Sequence, residues 1–273
     1  MDPTNVPRFE AMTIGTLLDR AFRLYTGNFA LLLGITAAAY VPFYLIILAI
    51  EASFGGNLQA SGALTTLLLQ VGFMILWASI AFPIAGGAAT YAISERYLGN
   101  DVTIGESLAL ALSRFWTLSV AQITATIRVM FGFLLLIVPG ILWLLSYSLI
   151  VPAILVENQK ATPSLRRSRE LVKGQRGKVF CVLFVINLLQ GIVILGVSMI
   201  SGMIFNVESG GGAVLNSAII NLVSIFVTPL GIVTTILLYY DMRIRKEGFD
   251  LEMLSRAITV NTETAAAAPT LSR

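Results

Sequence analysis

Seven cations crowd into positions 160–178: Lys160, Arg166, Arg167, Arg169, Lys173, Arg176 and Lys178, opposed within that stretch only by Glu170. Such groups bind phosphate and carboxylate oxygens, and near a membrane surface each adds about 1 kcal/mol of attraction to anionic headgroups. Another cation, Arg128, stands apart, well inside an apolar run that begins at residue 116. A charge at membrane depth costs about 2.5–3.5 kcal/mol on insertion scales. It reads as an anion contact or as a hook that draws a lipid headgroup inward. The structural alternatives are a side chain snorkelling to the inner interface or one paired with Glu157. Amides inside apolar runs form a third group: Asn187, Gln190 and Asn221, together with Gln70, Gln122 and Asn216. They could line a solute path, although such side chains more often hydrogen-bond between helices, for about a kcal/mol each.

The chemistry that is missing narrows the function further. There is no histidine, and a single cysteine, Cys181, permits neither an intramolecular disulfide nor a thiolate metal cluster. It reads as an inert buried thiol. Without histidine there is no Ser-His or Cys-His nucleophile pair. The sequence has no Gly-rich phosphate loop ending in Lys-Ser or Lys-Thr, no dinucleotide fingerprint, and no aspartate pair inside its apolar runs. The expectation is a protein that is not an enzyme and holds no cofactor or metal, with a membrane enzyme as the least supported alternative.

The elements that must position these residues follow from composition. Of 273 residues, 56% are hydrophobic and 12% are charged, and the mean hydropathy is +0.84. A soluble domain carries about 25% charged residues, so a water-facing surface could not be built from this supply. A spanning helix needs about 20 mainly apolar residues, and six windows qualify: 29–50, 64–91, 116–138, 140–156, 179–204 and 215–240. Helix is required because a bilayer offers nothing to free backbone N–H and C=O groups. The predicted fold is therefore all-α, a polytopic transmembrane bundle of about six spans forming a single domain over 1–258. The residues before the first window lack the pattern of a cleaved secretory signal.

Windows three and four touch at Val138-Pro139-Gly140, where one broken helix would give five spans instead. Charge favours a tight hairpin there. Basic loops stay on the cytoplasmic side, and both 92–115 and 157–178 are basic, so an even number of crossings must separate them. With the amino terminus inside, Arg8, Arg20 and Arg23, then Arg96 and Arg114, then the seven of 160–178, then Arg243, Arg245, Lys246, Arg256 and Arg273 share one side. Those are seventeen of the eighteen basic residues, Arg128 being the remaining one. The expected location is a bacterial cytoplasmic (inner) membrane with both termini cytoplasmic. The formal net charge of +3 makes nucleic acid an unexpected partner; the bilayer and its anionic headgroups are expected, with room for a protein partner or homo-oligomer.

Short amphipathic segments precede spans 1, 3 and 5. Ile14, Leu17, Leu18, Ala21 and Phe22 share one helical face; Thr103 and Glu106 stand at capping-box spacing; Thr162-Pro163 reads as a cap followed by proline at the first helical position. Leu18 and Ala21 match Leu108 and Ala111, while Leu165, Arg167, Leu171 and Gly174 match Leu18, Arg20, Leu24 and Gly27. The spacing suggests three degenerate units, each an interfacial helix followed by a hairpin. Tyr239-Tyr240 reads as an interfacial anchor, 241–257 as a charged juxtamembrane helix, and 259–273 as a disordered tail.

Four segments carry a resemblance: Leu17-Leu18-Asp19-Arg20-Ala21-Phe22-Arg23-Leu24-Tyr25, Val151-Pro152-Ala153-Ile154-Leu155-Val156-Glu157, Ser164-Leu165-Arg166-Arg167-Ser168, and Tyr240-Asp241-Met242-Arg243-Ile244-Arg245-Lys246-Glu247-Gly248-Phe249-Asp250. Together they resemble a bacterial family labelled the glycerophosphoryl diester phosphodiesterase membrane domain. The resemblance implies a membrane region that relatives join to a separate soluble catalytic barrel. No room for a barrel of about 250 residues is left beside the spans, and that chemistry relies on histidine, so the activity is not expected to carry over. The leading expectation is a non-catalytic scaffold or accessory membrane domain that meets lipids or partners through its basic cytoplasmic face. The alternative is a small-solute or lipid transporter with a midplane site near Arg128.

Overall fold

The computed structural model describes residues 12–53, 62–97, 100–205 and 210–247. Among these residues it is all helix, with no strand. A short amphipathic helix precedes a long apolar pair three times. Helix α1 (Ile14–Gly27) leads into α2 (Phe29–Ser53) and then α3 (Ala63–Leu76), a π-helical turn (Trp77–Ala81) and α4 (Phe82–Tyr97). Helix α5 (Ile104–Ser113) leads into α6 (Phe115–Leu135), α7 (Ile137–Ser146) and α8 (Ile150–Val156); α9 (Ala161–Val172) leads into α10 (Arg176–Ile204) and α11 (Gly210–Glu247). Six of the resulting rods are long and apolar enough to cross a bilayer. Their outward faces carry Ile127, Leu134, Leu195, Met203 and Ile204, each more than half exposed. Water would penalise such a surface and hydrocarbon would not.

Prolines decide where these rods bend. A helical proline supplies no N–H to the carbonyl four residues earlier, and its ring crowds that carbonyl. Pro83 thereby frees the Ser79 carbonyl, the backbone there widens into the π turn, and the Ser119 hydroxyl donates to Ser79 O at 2.6 Å. Pro229 frees the Ile225 carbonyl in the same way. Side chains from three other helices reach the exposed turn: Thr36 Oγ1 donates to Ile225 O at 3.2 Å, Tyr25 OH to Phe226 O at 2.8 Å and Gln190 Nε2 to Val227 O at 2.9 Å. Each bond joins a neighbouring helix to the kink, so the bend itself becomes a packing site.

The tight hairpin between spans three and four is present, but it turns at Leu136 and not at Pro139-Gly140. Continuing α6 would press the Pro139 ring onto the Leu135 carbonyl, so the break falls ahead of the proline. Pro139 then sits in the first turn of α7, where N–H groups lack helical partners anyway. Gly140 instead serves close approach: a Cβ there would meet the Phe133 ring at 2.5 Å, and one on Gly132 would come within 3.0 Å of the Gly140 backbone. The fourth span breaks a second time. Pro152 ends the run between α7 and α8 at Tyr147–Leu149, and Ser168 of α9 fills the gap, accepting from Leu149 N at 3.1 Å and donating to Ser146 O at 2.8 Å.

The amphipathic helices precede spans 1, 3 and 5 as expected; each packs part of its apolar face on protein, while Phe22 of α1 and Leu112 of α5 stay more than half exposed. Leu17 and Ala21 of α1, Ala111 of α5, and Leu165, Leu171 and Val172 of α9 are buried. The α5 capping box forms as expected, with Glu106 N on Thr103 Oγ1 at 3.3 Å and Thr103 N on Glu106 Oε2 at 2.9 Å. At α9 the cap position is Lys160, and Thr162-Pro163 lie inside the first turn, where a missing N–H costs nothing. Gly174, with φ +87°, turns the chain from α9 into α10. Helix α11 continues through the expected span end to Glu247; the rest of 241–257 and the tail 259–273 lie outside the described residues.

Candidate functional site

Three kinds of polar environment occupy one end and the middle of the bundle. At the basic end, Asp241 is fully buried. Its Oδ1 accepts from Met12 N at 2.7 Å, and its Oδ2 accepts from Lys178 Nζ and from Arg245 Nε, the latter at 3.0 Å. Lys178 Nζ and Arg245 Nη2 also donate to Met12 O, at 2.5 and 2.8 Å. One carboxylate thus ties the segment before α1 to the start of α10 and the end of α11. Asp241, at the start of the predicted juxtamembrane segment, is thus a structural lock that points into the bundle.

A second knot surrounds Glu157. Arg167 Nε donates to both of its oxygens, at 2.9 and 2.7 Å, and Tyr239 OH donates to Oε1 at 2.7 Å. Arg243 Nε lies 3.7 Å from Glu157 Oε1 and 3.2 Å from Glu247 Oε2, and Arg167 also pairs with Glu247. Burial pushes the Glu157 carboxyl up, but hydrogen bonds from Arg167 and Tyr239 and the charges of Arg167 and Arg243 outweigh it and hold it below the ordinary carboxylate value. Tyr239 is therefore buried against Glu157, and Tyr240 OH meets Ser94 Oγ at 3.1 Å. Neither is the lipid-facing anchor that a Tyr-Tyr pair suggests, because each hydroxyl finds a protein partner first.

The basic run 160–178 is accordingly less open than its density implies. Arg167 and Lys178 are inside the two knots, and Arg166 pairs with Glu170 across a turn at 2.8 Å. Lys160, Lys173 and Arg176 are exposed and form no ion pair among the described residues.

Arg128 belongs to a third environment. It does not pair with Glu157; its Nη1 donates to the Tyr147 hydroxyl at 3.2 Å. Arg169 Nη2 donates to the same oxygen at 2.5 Å. Both guanidinium carbons lie near the ring, 5.9 and 5.5 Å from its centroid, within reach of a cation–π contact. Tyr147 is buried at the break between α7 and α8, whereas both arginines are exposed, and neither forms an ion pair among the described residues.

Tyr147 also lines a cavity of about 650 Å³ formed by the α6–α8 hairpin, α10, α11 and part of α4. Its walls are apolar apart from a few groups that include Gln122, Thr126, Ser148, Asn187 and Gln190. Met130, Leu144, Phe180 and Phe184 also line it, each at least 42% exposed, so the cavity opens sideways on the apolar flank. Phe180 and Phe184 stack at 5.6 Å on that rim.

Of the amides singled out from sequence, Gln122, Asn187 and Gln190 meet here. Gln190 is committed to the Val227 carbonyl, and Gly231 leaves room for it. Asn187 turns back to Leu183 O at 2.7 Å and remains exposed. Asn221 and Asn216 lie off the cavity, Asn216 accepting from the Ser201 hydroxyl. The Gln70 side chain falls outside the described ones. Cys181 is exposed on α10, contrary to the buried thiol expected. That helix is apolar around much of its circumference, so periodicity could not tell its inner face from its outer one. Sequence reasoning missed the roles of Tyr147 and Ser168; Pro152, which follows the break at 147–149, was the available signal. No family model, curated protein or solved structure matches the chain.

Proposed function

We propose that this chain is a non-catalytic membrane protein that binds lipid, with both termini on the cytoplasmic side of a bacterial inner membrane. The observation that carries the reading is the sideways-opening cavity. A groove of about 650 Å³ with apolar walls and few polar groups falls within the size range of ligand pockets, about 300–1,000 Å³. Its mouth lies on a flank that the exposed apolar side chains suit to hydrocarbon, so the ligand arrives from the membrane. Exposed Lys160, Lys173 and Arg176 would attract anionic headgroups at the cytoplasmic surface. The basic knots support an accessory role in a different way. They fasten the amphipathic helices to the bundle and so hold a fixed surface for a partner.

The resemblance to the glycerophosphoryl diester phosphodiesterase membrane domain fits this reading. Within the resembling segments, Glu157, Arg167 and Glu247 share one knot, Asp241 holds a second, and Ser168 bridges the break in the fourth span, all as structural groups. Protein extracted in mild detergent should retain phospholipid detectable by native mass spectrometry. Enlarging the rim residues Leu144 and Met130 to tryptophan should displace it, and unchanged retention would reject the cavity as the binding place. Reporter tags near Gly56 and Lys173 should appear on opposite sides of the membrane.

A second reading, transport of a small solute or a lipid, is favoured by the exposed Asn187 amide in the cavity wall. Proteoliposomes should then show uptake that Asn187→Ala abolishes.

A further inference from the structure

Arg128 and Arg169 come from different helices, α6 and α9, yet end on one neutral phenol oxygen. A guanidinium has five N–H donors, and the contacts described use one from each. Two like charges gathered with no carboxylate among the described residues repel one another, and the shared phenol cannot neutralise them. Every other arginine of α9 has an acidic partner: Arg166 has Glu170, and Arg167 has Glu157 and Glu247. No carboxylate among the described residues pairs with Arg128 or Arg169, and charge complementarity at this corner therefore calls for a bound anion.

The surroundings specify where that anion comes from. Ile127, Met130 and Phe131, the neighbours of Arg128 on α6, are all more than half exposed on the apolar flank. An anion reaching this place is more readily delivered by a lipid than by water, and the forked donors of arginine match the non-bridging oxygens of a phosphate. Tyr147, which accepts from both arginines, is itself one of the residues lining the cavity. A phosphate held by the two arginines would therefore lie next to a wall residue of that apolar cavity.

We propose that Arg128 and Arg169, joined through Tyr147, bind the phosphate of an anionic glycerophospholipid whose acyl chain lies in the cavity. This rests on the lipid-binding reading and adds a headgroup site to it. Tyr147 acts as a positioning residue that holds both guanidiniums in register.

The test uses the full chain, delipidated in detergent, titrated separately with phosphatidylglycerol, with diacylglycerol of the same chains, and with inorganic phosphate. Binding is read by native mass spectrometry and by the rise in thermal unfolding temperature. Phosphatidylglycerol should bind at least tenfold more tightly than diacylglycerol, and inorganic phosphate should give no shift at matched concentration. The double variant Arg128→Gln/Arg169→Gln should weaken phosphatidylglycerol at least tenfold and leave diacylglycerol unchanged, while Arg166→Gln binds as the native protein does. If the double variant fails to fold, Arg128→Lys/Arg169→Lys keeps the charge without the fork and should weaken binding severalfold. Phosphatidylglycerol that binds equally to native and variant protein overturns the headgroup site but keeps lipid binding. Absence of both lipids from native protein overturns both readings. A shift with inorganic phosphate alone overturns the lipid in favour of a soluble anion.

Discussion

Arg167 and Arg169 are two residues apart on α9, yet Arg167 ends on two carboxylates and Arg169 on a phenol oxygen that it shares with Arg128. The Glu157 knot balances two carboxylates against two guanidiniums, the Asp241 knot holds its carboxylate between Lys178 and Arg245, and both are largely buried and hold helix ends together. The corner at Tyr147 is unbalanced and exposed, and it borders a cavity. A balanced pair loses most when one member is removed, because the other is left buried and uncompensated. An unbalanced corner loses little in isolation, since its charges were never neutralised from within. The same basic run therefore supplies both structural ties and an open recognition group, and the acidic partners tell them apart.

That contrast is open to direct attack. Asp241→Ala should have the largest effect, destabilising the detergent-solubilised protein by about 3–5 kcal/mol, because Lys178 and the Met12 N–H lose their shared acceptor. Arg128→Gln in delipidated protein should be neutral or stabilising by thermal unfolding. A loss as large as that of Asp241→Ala would erase the distinction between knot and corner. Ser168→Ala should cost about 1–3 kcal/mol by leaving Leu149 N–H or Ser146 C=O without a partner, and should also loosen Tyr147. Gly140→Ala, which drives a methyl into Phe133, should cost about 1–3 kcal/mol through overpacking, with no change in phospholipid binding at the corner.

Much of the frame was readable from sequence because hydrocarbon imposes a coarse rule. About twenty mainly apolar residues have one sensible conformation in hydrocarbon, and six such runs, five of them free of charge, emerge as six helices long enough to span. Thr103 and Glu106 were legible for a different reason: a capping box is local, and its partners are three residues apart. What stayed hidden depends on contacts distant in sequence. The basic run reads as an open cationic surface until Glu157, Glu247 and Asp241 arrive from elsewhere. The pairing of Arg128 with Tyr147, and not Glu157, depends on a second break in the fourth span that only Pro152 foreshadows. Gln190 reads from sequence more readily as a structural amide than as a transport ligand, and its bond to Val227 O at the Pro229 kink agrees with that.

The smallest effect concerns pH and separates two glutamates within the basic end. The folded Glu157 carboxyl lies below the ordinary value of 4.5, burial being outweighed by Arg167, Tyr239 and Arg243. A depressed folded value means stability that is fully present above the unfolded value and lost as pH falls through the folded one. Unfolding temperature should therefore hold steady above about pH 5 and decline below about pH 4, and Glu157→Gln should flatten that decline while lowering the plateau. Glu170 is also depressed, through its hydrogen bond from Arg166, but that pair is open to solvent. Exposed pairs are screened and contribute little, so Glu170→Gln should leave the acid limb in place. If both variants flatten it equally, burial is not what distinguishes the Glu157 knot from the surface pairs around it.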